Sequence, residues 1–261
     1  MHILFIGDIV GSPGREAIKM LLPELKKEHS LGFVVANAEN VAGGSGITLK
    51  TAQDLFTSGL DVLTSGDHIW KRSEIFELLS KEERILRPLN FPIGAPGKGS
   101  AVFKTNSGKK IGVINVNGRV FMEPLDCPFK TSSSAAEELS KETNIIIVDM
   151  HAEATSEKVA LGWYLDGKVS AVLGTHTHIQ TADERILPQG TAYISDAGMT
   201  GPYDSVIGRR TEDVLQRFLT LIPTRFEVAQ GNIQLHGVIL DIDEKTGKAK
   251  SIERIQKKLN A

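Results

Sequence analysis

The sequence predicts an α/β protein in which two packed sheets carry helices on their outer faces. Three observations lead there. Apolar runs of strand length alternate with segments of helical periodicity in both halves of the chain. A stretch with hairpin chemistry lies between the halves. Five of the apolar runs also stop abruptly at side chains able to bind a metal, and parallel strands would deliver all of these to one rim of a sheet.

Taken in order, the first run, ILFIG, ends at Asp8. Pro13 is then well placed at the start of a helix through about Leu25, because its fixed φ suits a first helical turn. Ala17, Ile18, Leu21, Leu22 and Leu25 recur at helical spacing, so this helix should pack on a sheet. The second run, residues 33–38, ends at Glu39 and Asn40 and leads into a glycine-rich loop at 42–46. Thr48 can cap a helix whose apolar face is Leu49, Ala52, Leu55 and Phe56. The third run, DVLTSG, ends at Asp67 and His68, and a helix from about Ser73 follows with Ile75, Phe76, Leu78 and Leu79 inward.

Residues 87–99 are rich in Pro and Gly, and β-type segments 100–105 and 110–116 flank Asn106-Ser107-Gly108 as a hairpin. A helix near 133–141 precedes the fourth run, IIIVDM, which ends at His151. A helix over 156–165 precedes the fifth, AVLGT, which ends at His176 and His178. After it come a short strand at 191–195, a glycine-containing loop at 196–208, a helix near 212–221 and a β-rich tail. In that tail, segments 226–228 and 233–242 flank Gly231-Asn232, which reads as a second hairpin. No linker or repeat divides the chain, so residues 1–261 are expected to form a single domain.

Composition excludes several classes. A formal charge of −2 on 261 residues offers no footprint for duplex DNA, and no Lys/Arg cluster suggests a polybasic membrane anchor. No segment approaches the roughly 20 apolar residues of a membrane span, and MHILFIG is too short for a signal peptide. With Cys127 the only cysteine, no intrachain disulfide can form, so a cytoplasmic location is expected. A homo-oligomer is a generic expectation from symmetry.

A lone Asp at a strand end is usually a cap or turn former, and a lone His an ordinary satisfied side chain; His2, His29 and His236 are read that way. Grouping alters the reading. His68, His151, His176 and His178, four of the seven histidines, end the same runs that supply Asp8, Glu39, Asn40 and Asp67. If His176-Thr177-His178 stays extended, its two rings point the same way. Imidazole and carboxylate donors without thiolate favour Mn, Fe or Zn over Mg or Ca. One ion needs three or four protein ligands, so this many candidates favours two ions with Glu39 as a bridge. Water between the ions would ionise near neutral pH and attack a phosphoryl group in line, with His68 left uncoordinated as general acid.

The glycine loops at 7–14 and 43–46 could offer N–H groups to phosphate, although tight turns after strands need glycine anyway. Neither is a Walker A loop, and no G-x-G-x-x-G or G-x-S-x-G occurs. Arg119 and Thr200 are candidates for lining a cleft or for structural roles.

The stretches Gly7-Asp8-Ile9-Val10-Gly11, Ala38-Glu39-Asn40, Gly66-Asp67-His68, Asp149-Met150-His151-Ala152-Glu153 and Gly174-Thr175-His176-Thr177-His178 resemble the binuclear metallophosphoesterase superfamily. The resemblance is specifically to its bacterial YmdB-like phosphodiesterases; Asn117-Gly118-Arg119 and Gly198-Met199-Thr200-Gly201-Pro202 share it, so it spans nearly the whole chain. It implies a four-layer αββα sandwich of two mixed β-sheets, iron or manganese as the metals, and cyclic nucleotides, 2′,3′ or 3′,5′, as the small-molecule phosphodiester substrate. It further implies that Asp8, Glu39, Asn40 and His178 hold one ion and Glu39, Asp67, His151 and His176 the other, with His68 as the acid. The family pattern ordinarily has Asn where this chain has Asp67. That extra carboxylate lowers the net positive charge of the centre and should weaken its pull on an anionic diester; a mixed-valence ferric/ferrous pair would restore one charge. Two alternatives stay open at this point: a weakly active or non-catalytic metal- or nucleotide-binding regulator, and a phosphomonoesterase or nuclease on the same fold.

Overall fold

A computed structural model describes residues 1–260. Its first half contains strands β1 (His2–Ile6), β2 (Asp8–Ile9), β3 (Leu31–Asn37) and β4 (Val62–Thr64), with helices α1 (Gly11–Glu28), α2 (Leu49–Thr57) and α3 (Ile75–Lys81). There follow β5 (Ser100–Lys104), β6 (Lys110–Asn117), α4 (Pro128–Ser140), β7 (Ile146–His151), α5 (Thr155–Leu165) and β8 (Ala171–Thr175). The chain closes with β9 (Arg185–Ile186), β10 (Ala192–Ile194), β11 (Met199–Pro202), α6 (Thr211–Thr220), β12 (Ile233–Ile242) and β13 (Ala249–Lys258).

These strands make two mixed sheets. One runs in the order β2-β11-β12-β1-β3-β4 with β13 also on β12, and the other in the order β5-β6-β7-β8-β10-β9. β1, β3 and β4 are mutually parallel, as are β6, β7, β8 and β10. Strand side chains alternate between faces, and the burial follows that alternation. Ile3, Phe5, Phe33 and Val35 meet Ile111, Val113, Ile147 and Leu173 in a core between the sheets. The intervening Leu4, Ile6, Val34 and Ala36 pack outward against Ile18, Leu22 and Leu25 of α1 and Leu55 of α2. On the other side, Ile114, Val116, Ile146 and Val148 pack against Ala136 of α4 and Leu161 and Leu165 of α5. The result is a four-layer αββα sandwich, and strands covered on both faces explain why their sequences are continuous apolar runs.

Most elements fall where the periodicity puts them, and the cap on α2 is the expected one. Thr48 Oγ1 accepts the Thr51 N–H while Thr51 Oγ1 accepts the Thr48 N–H. Helix α4 begins five residues before the expected start, because Pro128 sits in its first turn, where the missing N–H costs nothing. The hairpin expected at Gly231-Asn232 does not form. Residues 226–228 contribute only a single bridge, Arg209 with Val228, while β12 pairs along its whole length with β13. The turn between them is at 243–248, where Asp243 Oδ1 accepts the N–H groups of Lys245 and Thr246. Nine residue pairs of ladder outweigh a three-residue run, whatever the turn signal beside it. Among the described residues no helix is long and apolar enough to cross a membrane.

Candidate metal centre

The parallel strands of both sheets present their carboxyl ends to one rim. There the Glu39, Asp67, His151 and His176 side chains each bring a donor atom within 4.8 Å of the others. His151 Nε2 lies 3.2 Å from Glu39 Oε2, 3.3 Å from Asp67 Oδ1 and 3.0 Å from His176 Nδ1. A looser group adjoins it. His178 Nε2 is 3.8 Å from Asp8 Oδ1 and 3.3 Å from Asn40 Nδ2, which in turn bonds Glu39 Oε1 at 2.9 Å. Glu39 therefore turns one oxygen to each group. His68 stands outside the tight cluster: its Nδ1 is 2.9 Å from Asn40 Oδ1, and its Nε2 is 3.7 Å from Asp67 Oδ2.

Four observations fit this donor set to metal ions. Asp8 Oδ1 and Asp67 Oδ1 are buried and have no hydrogen-bond partner, which is costly for a carboxylate unless a cation sits beside it. Gly66 leaves the space open, since a Cβ there would lie 2.2 Å from both Glu39 Oε2 and His151 Nε2. The ring nitrogens are sorted as ligation requires. His178 Nδ1 is 3.0 Å from the Ile207 carbonyl, which can only accept, so Nδ1 carries the proton and Nε2 presents a lone pair. His176 Nε2 faces Glu153 Oε2 at 3.1 Å, leaving Nδ1 inward. His151 Nδ1 donates to Thr175 Oγ1 at 2.9 Å, whose own hydrogen goes to Asp149 Oδ1 at 2.7 Å.

The fourth observation is electrostatic. Burial alone would raise the Glu39 carboxyl, but the His151 and His68 imidazoles hold it well below the usual range. Burial would lower His151, yet the charges of Glu39, Asp67 and Asp8 around it push it well above its ordinary value. Burial and the charge of His151 bring His176 down to about 4, the neutral form that a ligand needs. Carboxylates packed this closely call for positive charge between them, which divalent ions supply.

The extended geometry expected for His176-Thr177-His178 is not found. His176 has φ 98° and His178 φ 66°, so the segment is kinked at both histidines and the rings diverge, one to each group. Such backbone costs on the order of 1–3 kcal/mol per residue. In the glycine loops, the N–H groups of Gly7, Gly11, Gly14, Gly43 and Gly46 are spent on the carbonyls of His236, Asn40, Val10, Val41 and Glu39 and so are not free for phosphate. Thr200 is fully buried and bonds the His236 carbonyl, a structural role, while the Arg119 N–H bonds Glu157. His2 and His236 are ordinary satisfied histidines, on the His29 carbonyl and on Tyr203 and Gln234 respectively.

Some contributors were not singled out from the sequence. Asn37, Thr64 and Thr175 bond the buried Asp149, whose carboxyl burial raises to about 6, and so brace the cluster from below. Their signal was a polar residue inside an apolar run. Arg209 gave no signal. Its guanidinium is half-buried, feels the charge of Glu39, and bonds the backbone carbonyl of Gly44 rather than a carboxylate.

Two face-to-face mixed sheets with helices outside, and carboxylates and imidazoles gathered at the strand ends, define a metallophosphoesterase fold. A family model described as "YmdB-like protein" matches residues 4–255, and the chain belongs to that family. It is 53% identical over 255 residues to a "2′,3′-cyclic-nucleotide 2′-phosphodiesterase" of Bacillus subtilis, covering 98% of this chain and 96% of that protein. Among solved structures, a hypothetical protein from Thermus thermophilus superposes with a TM-score of 0.93 at 41% identity, covering 99% of both chains. A novel phosphatase of Mycoplasma pneumoniae superposes with a TM-score of 0.92 at 36% identity, covering 99% of this chain and 93% of that one.

Proposed function

We propose that this chain is a metal-dependent phosphodiesterase acting on cyclic nucleotides, with two divalent or mixed-valence ions, iron or manganese before zinc. The observation that carries the reading is the sorting of four imidazoles. Three turn a ring nitrogen toward the carboxylates of the two groups, while His68 lies at the edge, its Nδ1 on Asn40 Oδ1 and 3.3 Å from Glu39 Oε1, outside the tight donor set. A site that only bound metal would have no use for the fourth. The similarity to the Bacillus subtilis cyclic-nucleotide phosphodiesterase supports the substrate class. The cluster draws on strand ends of both sheets, so the chain would act as one domain, and the lone cysteine supports a cytoplasmic setting.

In this reading Asp8, Glu39 and His178, with Asn40 through its Oδ1, would hold one ion, and Glu39, Asp67, His151 and His176 the other. Bound ions supply Lewis acidity toward a phosphoryl oxygen and lower the pKa of water. The chain's own residues do the rest. Glu39 keeps the His68 imidazole above its ordinary pKa through a hydrogen bond, against the effect of burial. Asn40 Oδ1 accepts at His68 Nδ1, which leaves Nε2 as the atom that gives a proton to the leaving alkoxide. Arg209, whose guanidinium feels the charge of Glu39, is the cation offered to the anionic diester.

The test is hydrolysis of bis-p-nitrophenyl phosphate with Mn or Fe, by wild type and His68→Ala, alongside 2′,3′-cyclic and 3′,5′-cyclic nucleotides and a phosphomonoester. Wild type should cleave the diesters, and the variant should keep its metal but lose about 10²- to 10⁴-fold in kcat. Bound metal without diester hydrolysis would instead favour the regulator, and cleavage of the monoester alone a phosphatase.

A further inference from the structure

His176 and His178 are separated by a single residue, yet they face different halves of the centre. An extended segment would send both rings to the same side. Here both residues have positive φ, 98° and 66°, a conformation that persists only where the surroundings over-determine it. Besides the His176 N–H, which donates to Asp8 Oδ2 at 3.0 Å, those surroundings converge on Thr177. Its N–H donates to Asp196 Oδ2 at 3.0 Å, and its Oγ1–H donates to the same oxygen at 2.7 Å. Lys158 Nζ, from α5, donates to that oxygen too, at 2.9 Å, and the Gly198 N–H donates to Oδ1 at 2.8 Å. Asp196 is 0% exposed and Lys158 2%. An ion pair this deeply buried adds little net stability over apolar residues of similar volume, so its effect here is geometric.

We infer that the Lys158–Asp196 pair, acting through Thr177, divides the two neighbouring histidines between the half-centres and thereby sets how many ions the centre holds. The inference rests on the two-ion reading above. Lys158, Asp196 and Thr177 are not among the candidate donors; they are positioning residues. Without the Thr177 hydroxyl the kink loosens. A segment relaxing toward extension brings both imidazoles to one side and leaves one half-centre short of its nitrogen.

Thr177→Val tests this, because it keeps the branched shape and the N–H bond and removes only the hydroxyl. Mn(II) is titrated into metal-stripped protein and followed by electron paramagnetic resonance, with thermal melting measured in parallel. Wild type should give the spectrum of a spin-coupled pair. Thr177→Val should bind one ion roughly 10- to 100-fold more weakly and show an isolated-ion spectrum at intermediate Mn, and Thr177→Ser should restore the coupled pair. Lys158→Met should act in the same direction; if it fails to fold, the Thr177 variants still decide. Wild type holding fewer than two ions would overturn the two-ion reading and the inference with it. Wild type holding two, with Thr177→Val holding two at unchanged affinity, overturns the inference alone, even if the melting temperature falls.

Discussion

Gly66 provides the sharpest test of where the centre lies. A Cβ added there would stand 2.2 Å from Glu39 Oε2, from His151 Cδ2 and from His151 Nε2. Carbon needs about 3.5 Å from such atoms, so the donors must retreat by roughly 1 Å, whereas metal–ligand distances tolerate only about 0.2 Å. The clash in Gly66→Ala falls on those two side chains. Overpacking should cost about 1–3 kcal/mol of stability, and a misplacement of that size should cost on the order of 10²-fold in kcat/KM, equivalent to about 2.7 kcal/mol. Three assays separate the effects: a denaturant titration for stability, Mn affinity by calorimetry, and diester hydrolysis at saturating metal. A folded Gly66→Ala protein with wild-type Mn affinity and wild-type kcat/KM would refute the placement of Glu39 and His151 at the centre.

Three more outcomes are expected. Asp67→Asn removes one of the carboxylate charges around the cluster and should raise kcat/KM for an anionic diester about fivefold, on the order of 1 kcal/mol, or shift the preferred metal; unchanged kinetics with unchanged metal content would remove any special role for this aspartate. Arg209→Met should raise KM for diesters by roughly 10- to 100-fold with little change in kcat or metal content, and a KM equal to wild type would show that the guanidinium does not meet the substrate. His236 is buried against Tyr203, and burial lowers its pKa to about 4. The unfolded chain then binds the extra proton first, so stability should be full above pH about 6.5 and fall toward pH about 4, by at most about 1.4 kcal/mol per pH unit. His236→Gln should flatten that slope in denaturant titrations, and an unchanged slope would place the acid sensitivity elsewhere.

Much of the fold was legible because its cause is local. Strands covered on both faces must be apolar without interruption, so β1, β3, β7 and β8 announce themselves, and helices packed on a sheet must repeat at helical spacing, as Ile18, Leu22 and Leu25 do. The hairpin at 105–109 was legible for the same reason, whereas Gly231-Asn232 misled because turn chemistry does not say which strand wins the partner. The candidate donors were legible too. Polar residues that end buried strands have nowhere to go but the rim.

What the sequence by itself determined is which side chains reach that rim, since apolar strands joined by helices, where they run parallel, end on the same side. Only the tertiary structure decided how they divide. Two histidines at adjacent even positions were expected side by side, and they face apart because Asp196 and Lys158, from a distant loop and helix, hold Thr177 between them. The tautomers of His151, His176 and His178 are likewise set by Thr175, Glu153 and the Ile207 carbonyl, contacts that no local pattern encodes. A kink or a proton on a ring costs little compared with burying a strand, so it is settled by whichever partners the completed fold brings into reach.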